Sequence, residues 1–153
     1  MTEQPTCSCG QNEIKRMILP CAGQANTGQL TNLAAIQLVD EGYGKMVCTA
    51  LLATGNEGLA NRARNAEEVV ILDGCPLVCA SKIAECQGVK AGQHIVVTDL
   101  GITKGPSRSY TDDDIEKIVA ACWKGEGRTN EPKKKGSDTK TSTCGCGCGG
   151  SCD

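Results

Sequence analysis

Residues 67–76 read EEVVILDGCP and carry the plainest strand signal in the chain. The uninterrupted apolar run Val69–Leu72 is typical of a short buried strand. The run stops at Asp73, and a turn glycine follows it. Pro76 fits the first turn of a helix, where its missing N–H is tolerated, so we expect a helix from there to Gly88. A buried strand followed at once by a helix is the repeating unit of an α/β fold.

Further units of the same kind flank this one on both sides. Other strand candidates are residues 16–20, 45–53 and 94–99. Further helical patterns lie between Cys21 and Gly42, between Gly58 and Ala66, and between Thr111 and Trp123, where Thr111 and Asp114 suit a capping box. Such alternation indicates right-handed crossovers between parallel strands. We therefore predict a three-layer α/β fold, in which helices flank a mostly parallel four-stranded sheet.

The folded domain is expected to span residues 14–124, with three different segments around it. Residues 1–13 form a polar arm with the pair Cys7 and Cys9, and residues 125–143 form a flexible basic linker. Residues 144–153 are rich in glycine and cysteine. Because these segments hold too few apolar residues to bury a core, we expect the cysteine-rich termini to be disordered.

Composition excludes several classes of protein. The 153 residues include no Phe and one Trp, so the core must be aliphatic, and the net charge of −2 argues against a nucleic-acid partner. No apolar run approaches the roughly 20 residues of a membrane span. The first residues lack the apolar segment of a secretory signal, so we expect a cytoplasmic protein with reduced or metal-bound thiols. No protein partner can be named.

Twelve cysteines against one histidine are the strongest functional signal. Cys21 and Cys75 follow predicted strands, where the carboxyl ends of parallel strands form a functional crevice. Cys79 lies four residues after Cys75, a spacing that places both on one helix face, and Cys48 is expected within the second strand. Thiolates are ligands that zinc prefers. We therefore predict that Cys21, Cys48, Cys75 and Cys79 hold Zn²⁺ in a closed, stabilising site.

The segment from Asp73 to Ala80 resembles the signature of the DGC-domain family, named for its Asp-Gly-Cys tripeptide. Cys21, in a Pro-Cys-Ala-Gly context, and Cys48 also match the family pattern, and the resemblance covers about residues 14–124. The family is described as zinc-binding, so the resemblance implies the same four-cysteine site. It implies no particular reaction.

Two other functions stay open. The protein could capture and transfer copper(I) or arsenite, with a second site formed by tail cysteines Cys144, Cys146, Cys148 and Cys152. Alternatively, it could be a thiol enzyme for redox or sulfur transfer, with Cys21 or Cys75 as nucleophile and Cys79 as resolving thiol. A tyrosine-phosphatase mechanism is excluded, because Thr27 occupies the position of the required arginine. We assign no catalytic residue.

Three remaining side chains receive structural interpretations. Cys86 and Cys122 lie among apolar helical residues and are expected in the core. His94 begins its predicted strand, so we expect it at the surface, at the end of the sheet opposite the crevice.

Overall fold

The computed structural model describes residues 16–124, which contain a four-stranded parallel sheet with helices on both faces. Its elements in chain order are β1 (Arg16–Pro20), α1 (Asn26–Asp40), β2 (Lys45–Met46), α2 (Thr49–Ala53), α3 (Glu57–Arg64), β3 (Glu68–Asp73), α4 (Cys79–Cys86), β4 (Gln93–Val96), the 3₁₀ helix η1 (Val97–Leu100) and α5 (Asp112–Trp123). The predicted fold class and the four-stranded parallel sheet are confirmed. The predictions for the N-terminal arm, the linker and the cysteine-rich tail lie outside the described residues.

The sheet has the strand order β2-β1-β3-β4, and all three pairings are parallel. The two central strands are fully paired, from Arg16 opposite Glu68 to Pro20 opposite Leu72. Residues 17–20 and 69–72 of these strands are apolar and almost wholly buried, because both faces of the sheet are covered by helices. The carboxyl ends of β1 and β3 therefore meet at one edge of the sheet.

Each face of the sheet has its own aliphatic cluster. On one face Ile18, Val70 and Leu72 pack against α1 and α5, and on the other Met17, Leu19 and Ile71 pack against α2, α3 and α4. The side chains alternate between the two clusters along each strand, as the pleat requires. Helix α5 begins with the predicted capping box, in which Thr111 and Asp114 bond reciprocally. Among the described helices, none has the length and apolar character needed to cross a membrane.

The second predicted strand is wrong over most of its length. Only Lys45 and Met46 pair with β1, and the chain then turns into α2 at Thr49. Short apolar runs fit either a strand or a helix, and the alanines and leucines of 49–53 favour the helix. Cys48 consequently caps a helix and does not lie within a strand.

Two other boundaries also differ from the prediction. Helix α4 begins at Cys79, because Val78 adopts a left-handed conformation with φ of 46°, and Pro76 lies in the preceding turn. The fourth strand ends at Val96, so Asp99 lies in η1 and is exposed.

The prediction that Cys86 belongs to the core is also wrong. Its thiol is exposed, because the buried face of α4 consists of Ala80 and Ala84, and Cys86 points away from that face. Cys122 is 2% exposed, as predicted.

Candidate functional site at the carboxyl edge of the sheet

The topology creates a crevice between the two central strands. From β1 the chain runs through α1 to β2 on one side, and it later crosses to β3 on the other side. Loops that leave neighbouring strands in opposite directions open a gap at such a switch point, and ligands of parallel α/β sheets bind there. Cys21 follows β1 directly, and Cys75 lies two residues after the end of β3.

Asp73, the first residue of the Asp-Gly-Cys tripeptide, holds the start of α4. The carboxylate is fully buried and accepts hydrogen bonds from the backbone N–H groups of Ala80 at 2.8 Å and Ser81 at 3.2 Å. Helix α4 has no side-chain cap of its own at Val78. Asp73 therefore satisfies unpaired N–H groups of the first turn from the end of a neighbouring strand, and its negative charge suits that end of the helix. This contact fixes Cys79, the first residue of the helix.

His94 also contacts this carboxylate. Its Nε2 lies 2.9 Å from Oδ2 of Asp73, and its side chain is about one-third exposed. His94 lies at the surface, as predicted, but the prediction that it stays at the end of the sheet opposite the crevice is wrong, because its side chain contacts Asp73. The side chain of His94 reaches the carboxyl end of β3, which periodicity alone does not reveal.

Gly74, the second residue of the tripeptide, allows the loop after β3 to touch the first turn of α1. A Cβ atom at this position would lie 2.8 Å from the backbone nitrogen of Gly28 and 2.9 Å from the carbonyl carbon of Thr27. A Cβ atom on Gly28 would in turn lie 2.6 Å from the backbone of Gly23, in the loop after β1. The first turn of α1 therefore packs backbone against backbone with both loops, which holds Cys21 and Cys75 at one location.

Three of the four predicted ligands line one cavity of about 610 Å³ at this edge. They are Cys21, Cys75 and Cys79, and all three thiols are free. The remaining walls come from the loops after β1 and β3, from the start of α1 and from residues 104–107.

Cys21 is the most enclosed of these thiols. Burial raises its pKa above the ordinary value, hydrogen bonds from the backbone of Gly74 and Gly23 partly oppose this, and the nearby charges of Asp73 and Cys79 raise it further. The raised pKa of Cys21 favours its neutral form, while the backbone N–H groups of Gly74 and Gly23 favour a thiolate.

Cys75 has a different neighbour. The Nζ atom of Lys104 lies 3.5 Å from its Sγ atom and donates to it. Sequence reasoning missed Lys104, because it lies 29 residues away and follows no motif. Its position shortly after the fourth strand, next to Gly105-Pro106, is the signal that could have found it.

Cys48 lies at the same edge of the sheet but does not line the cavity. Its Sγ atom accepts the backbone N–H of Leu51 at 3.4 Å, and the side chain is exposed. The next residue, Thr49, donates from Oγ1 to the carbonyl of Pro20 at 2.8 Å, which places Cys48 beside the chain segment that leads to Cys21.

Among residues 16–124, no three Cys, His, Asp or Glu side chains already stand close enough together to hold a metal ion. Binding an ion through several thiolates, with Zn–S bonds of about 2.3 Å, therefore requires side chains to rotate. The donor set itself fits a soft ion, because three free thiols share one cavity and a fourth, on Cys48, lies at the same edge of the sheet. The tail cysteines proposed as a second site, Cys144, Cys146, Cys148 and Cys152, lie outside the described residues.

Comparison with known proteins identifies a family for this chain. The DGC domain matches residues 17–122. The chain is similar to the anaerobic and virulence modulator AnvM of Pseudomonas aeruginosa, with 28% identity over 102 residues that cover 67% of this chain and 78% of that protein. No solved structure matches it significantly. The chain therefore belongs to the DGC-domain family.

Proposed function

We propose that this DGC-domain protein binds a soft metal ion, in the first place Zn²⁺, through the thiolates of Cys21, Cys75, Cys79 and Cys48. The observation that carries the proposal is the position of the thiols. Three of them line one cavity at the topological switch point, and the fourth begins a helix at the same edge. Three separate segments of the chain supply these residues, at Cys21, at Cys48 and at 75–79, so a shared ligand accounts for their common location.

Different contacts would position each of the four cysteines for the ion. Cys21 is anchored by backbone amides of Gly74 and Gly23, which stabilise negative charge on its sulfur. Cys79 is held by the Asp73 cap of its helix, while Cys75 lies in the turn between the two. Cys48 joins by releasing the Leu51 N–H, a single weak bond to sulfur.

The bound ion would link the loops after β1 and β3 and the start of α2. A site with four thiolates leaves no open coordination position, so zinc would supply structural stability and not hydrolytic chemistry. Binding free energy that the folded state alone receives adds to its stability. We infer a reducing compartment such as the cytoplasm, where free thiols persist.

A second candidate is the capture of arsenite or copper(I). The observation that favours it is that three thiols, not four, line the cavity. Arsenite forms three bonds to sulfur, and copper(I) also accepts low-coordinate thiolate sites. In this case Cys48 would contribute nothing to affinity.

The test is elemental analysis of the full-length protein, purified reduced from its own host. A background in which Cys144, Cys146, Cys148 and Cys152 are serine removes any contribution of the tail. In that background we expect about one equivalent of metal, lost in Cys21→Ser, Cys75→Ser and Cys79→Ser. Cys86→Ser is the matched control, since that thiol is exposed on α4 and does not line the cavity.

Cys48→Ser separates the two candidates. Loss of zinc in this variant supports the four-thiolate site, and unchanged uptake of arsenite supports the three-thiol site. If the tail-substituted protein carries no metal and takes up neither ion under reducing conditions, the proposal fails.

A further inference from the structure

The cavity is larger than a metal ion requires. Its volume of about 610 Å³ lies within the range of roughly 300–1,000 Å³ that is typical of small-molecule sites. A zinc ion and its four sulfurs would occupy only the part near the thiols, since the metal–sulfur bonds are about 2.3 Å long. The rest extends over Gln24 and Ser107 and leaves space for a second, organic ligand.

One charged group marks the cavity. Apart from the thiols, Lys104 is the only ionisable side chain among the described residues that line the cavity. The other lining residues are glycines and residues with uncharged side chains. The chain as a whole has a net charge of −2, so bulk electrostatics would not draw anions to it. The cation of Lys104 therefore gives the cavity a preference for anions, which the net charge of the whole molecule does not provide.

The backbone on both sides of Lys104 is held in place by a buried asparagine. Asn26, which is 2% exposed, donates from Nδ2 to the carbonyl of Thr103 at 2.9 Å. Its Oδ1 atom accepts the N–H of Gly105 at 2.6 Å, and its own N–H donates to the carbonyl of Gly105 at 3.1 Å. Three hydrogen bonds thus fix the residues before and after Lys104 to the first residue of α1. The side chain of Lys104 is exposed, but these hydrogen bonds hold the backbone from which it extends.

We propose that Lys104 makes this cavity selective for small sulfur compounds that carry a carboxylate, by pairing with the carboxylate while the ligand's sulfur meets Cys75. The distance of 3.5 Å between Nζ and Sγ places the cation and the thiol within reach of the two ends of one small molecule. The inference goes beyond the proposed function, because it concerns the same cavity in the metal-free protein, where Cys75 is a free thiol and not a zinc ligand.

The test uses two disulfide reagents on the reduced, metal-free, full-length protein at one fixed pH. One is 5,5′-dithiobis(2-nitrobenzoate), which carries two carboxylates, and the other is the neutral 2,2′-dithiodipyridine. In each reaction the Cys75 thiolate attacks one sulfur of the reagent. The reagent's S–S bond breaks, a mixed disulfide forms, and the other half leaves as a thiolate with the electron pair. Peptide mass spectrometry then follows Cys75, and Cys86 on α4 serves as the internal reference thiol.

Lys104→Met is the test variant, Lys104→Arg is the conservative one, and Lys90→Met is the matched control, since Lys90 lies outside the cavity. We expect Lys104→Met to lower the ratio of the anionic to the neutral labelling rate of Cys75 about fivefold, with each rate taken relative to Cys86, as for a single ion pair of about 1 kcal/mol in water. The neutral reagent measures what loss of the cation does to the thiolate alone, because the Nζ atom lies 3.5 Å from the Sγ atom. Lys104→Arg should restore the selectivity, and Lys90→Met should leave it intact.

Two outcomes would overturn the inference. If both reagents slow equally, Lys104 acts on the thiol and not on the ligand. If neither slows, its charge has no role at Cys75. Failure of metal binding is a separate result: a protein that takes up no zinc but keeps the charge selectivity would refute the proposed function and support this inference.

Discussion

Asp73→Ala is the perturbation for which the structure gives the clearest expectation. The carboxylate is fully buried and accepts two backbone N–H groups from the first turn of α4. Loss of a helix cap costs about 0.5–2 kcal/mol, and a buried N–H left without an acceptor costs about 1–3 kcal/mol. Since the N–H of Ala80 lies in the interior, we expect Asp73→Ala to lower the free energy of unfolding by about 2–4 kcal/mol.

Asp73→Asn refines this expectation. The amide keeps one oxygen that can accept the N–H of Ala80, but it loses the negative charge and the second acceptor. We expect this variant to lie between the wild type and Asp73→Ala, at a loss of about 1–2 kcal/mol. Asp99→Ala removes an exposed carboxylate in η1 and should stay within about 0.5 kcal/mol of the wild type.

The assay is urea unfolding of the reduced, metal-free protein, followed by fluorescence of Trp123. This is the only tryptophan of the chain, and it packs edge-on against Tyr43, with ring centroids 4.8 Å apart. Its environment therefore changes when α5 leaves the sheet. If Asp73→Ala costs less than about 1 kcal/mol, or no more than Asp99→Ala, Asp73 does not hold α4 as we describe.

Three further substitutions should change the free energy of unfolding, or its dependence on pH, in a definite direction. Gly74→Ala places a Cβ atom 2.8 Å from the backbone of Gly28, so we expect the free energy of unfolding in urea to fall by about 1–3 kcal/mol. A neutral result would mean that the loop after β3 moves away from α1 without cost. Burial raises the pKa of Cys122 to about 12, so its contribution to the free energy of unfolding is complete below the ordinary thiol value of 9.0 and disappears as the pH rises towards 12. Cys122→Ala should flatten this alkaline decline in the free energy of unfolding. An unchanged slope would contradict the assignment. Hydrogen bonding to the backbone of Thr111 lowers the pKa of Asp114, so its contribution to the free energy of unfolding is present above the ordinary carboxyl range and is lost as the pH falls through the lowered value. Asp114→Asn should weaken the acid dependence of stability. Equal acid dependence in the variant and the wild type would refute the electrostatic role of this cap.

The sequence predicts the fold well because its strongest signals are local. The run Val69–Leu72 is apolar on both faces, and a strand buried between two helical layers requires that pattern. The capping box at Thr111 likewise involves residues only three apart. Strand–helix alternation then leaves few topologies, and from these the location of Cys21 and Cys75 at one edge follows.

The segment 45–53 shows where local signals fail. Its apolar residues suit a strand as well as a helix, and the structure adds to the helix the contact of Thr49 with Pro20, which joins residues 29 apart. The position of Cys48 changes with that choice. A thiol expected inside the sheet becomes a helix cap beside the cavity.

The site contains two functional contacts that periodicity cannot predict. Asp73 caps a helix that begins six residues later, across a turn with a left-handed residue at Val78. Lys104 reaches Cys75 only because Asn26 fixes the backbone on either side of it. Both contacts depend on tertiary packing, so they become visible only in three dimensions.

The sulfur coordination of zinc, measured by X-ray absorption on the zinc-loaded protein with serines at the four tail cysteines, tests the central claim most directly. We predict four sulfur ligands at about 2.3 Å. In Cys21→Ser, Cys75→Ser and Cys79→Ser the zinc should be lost, or its coordination should fall to three sulfurs and one lighter atom. A zinc shell made mainly of nitrogen and oxygen, or four sulfurs that persist when all three of these cysteines are replaced together, would contradict a thiolate site at the carboxyl edge of the sheet.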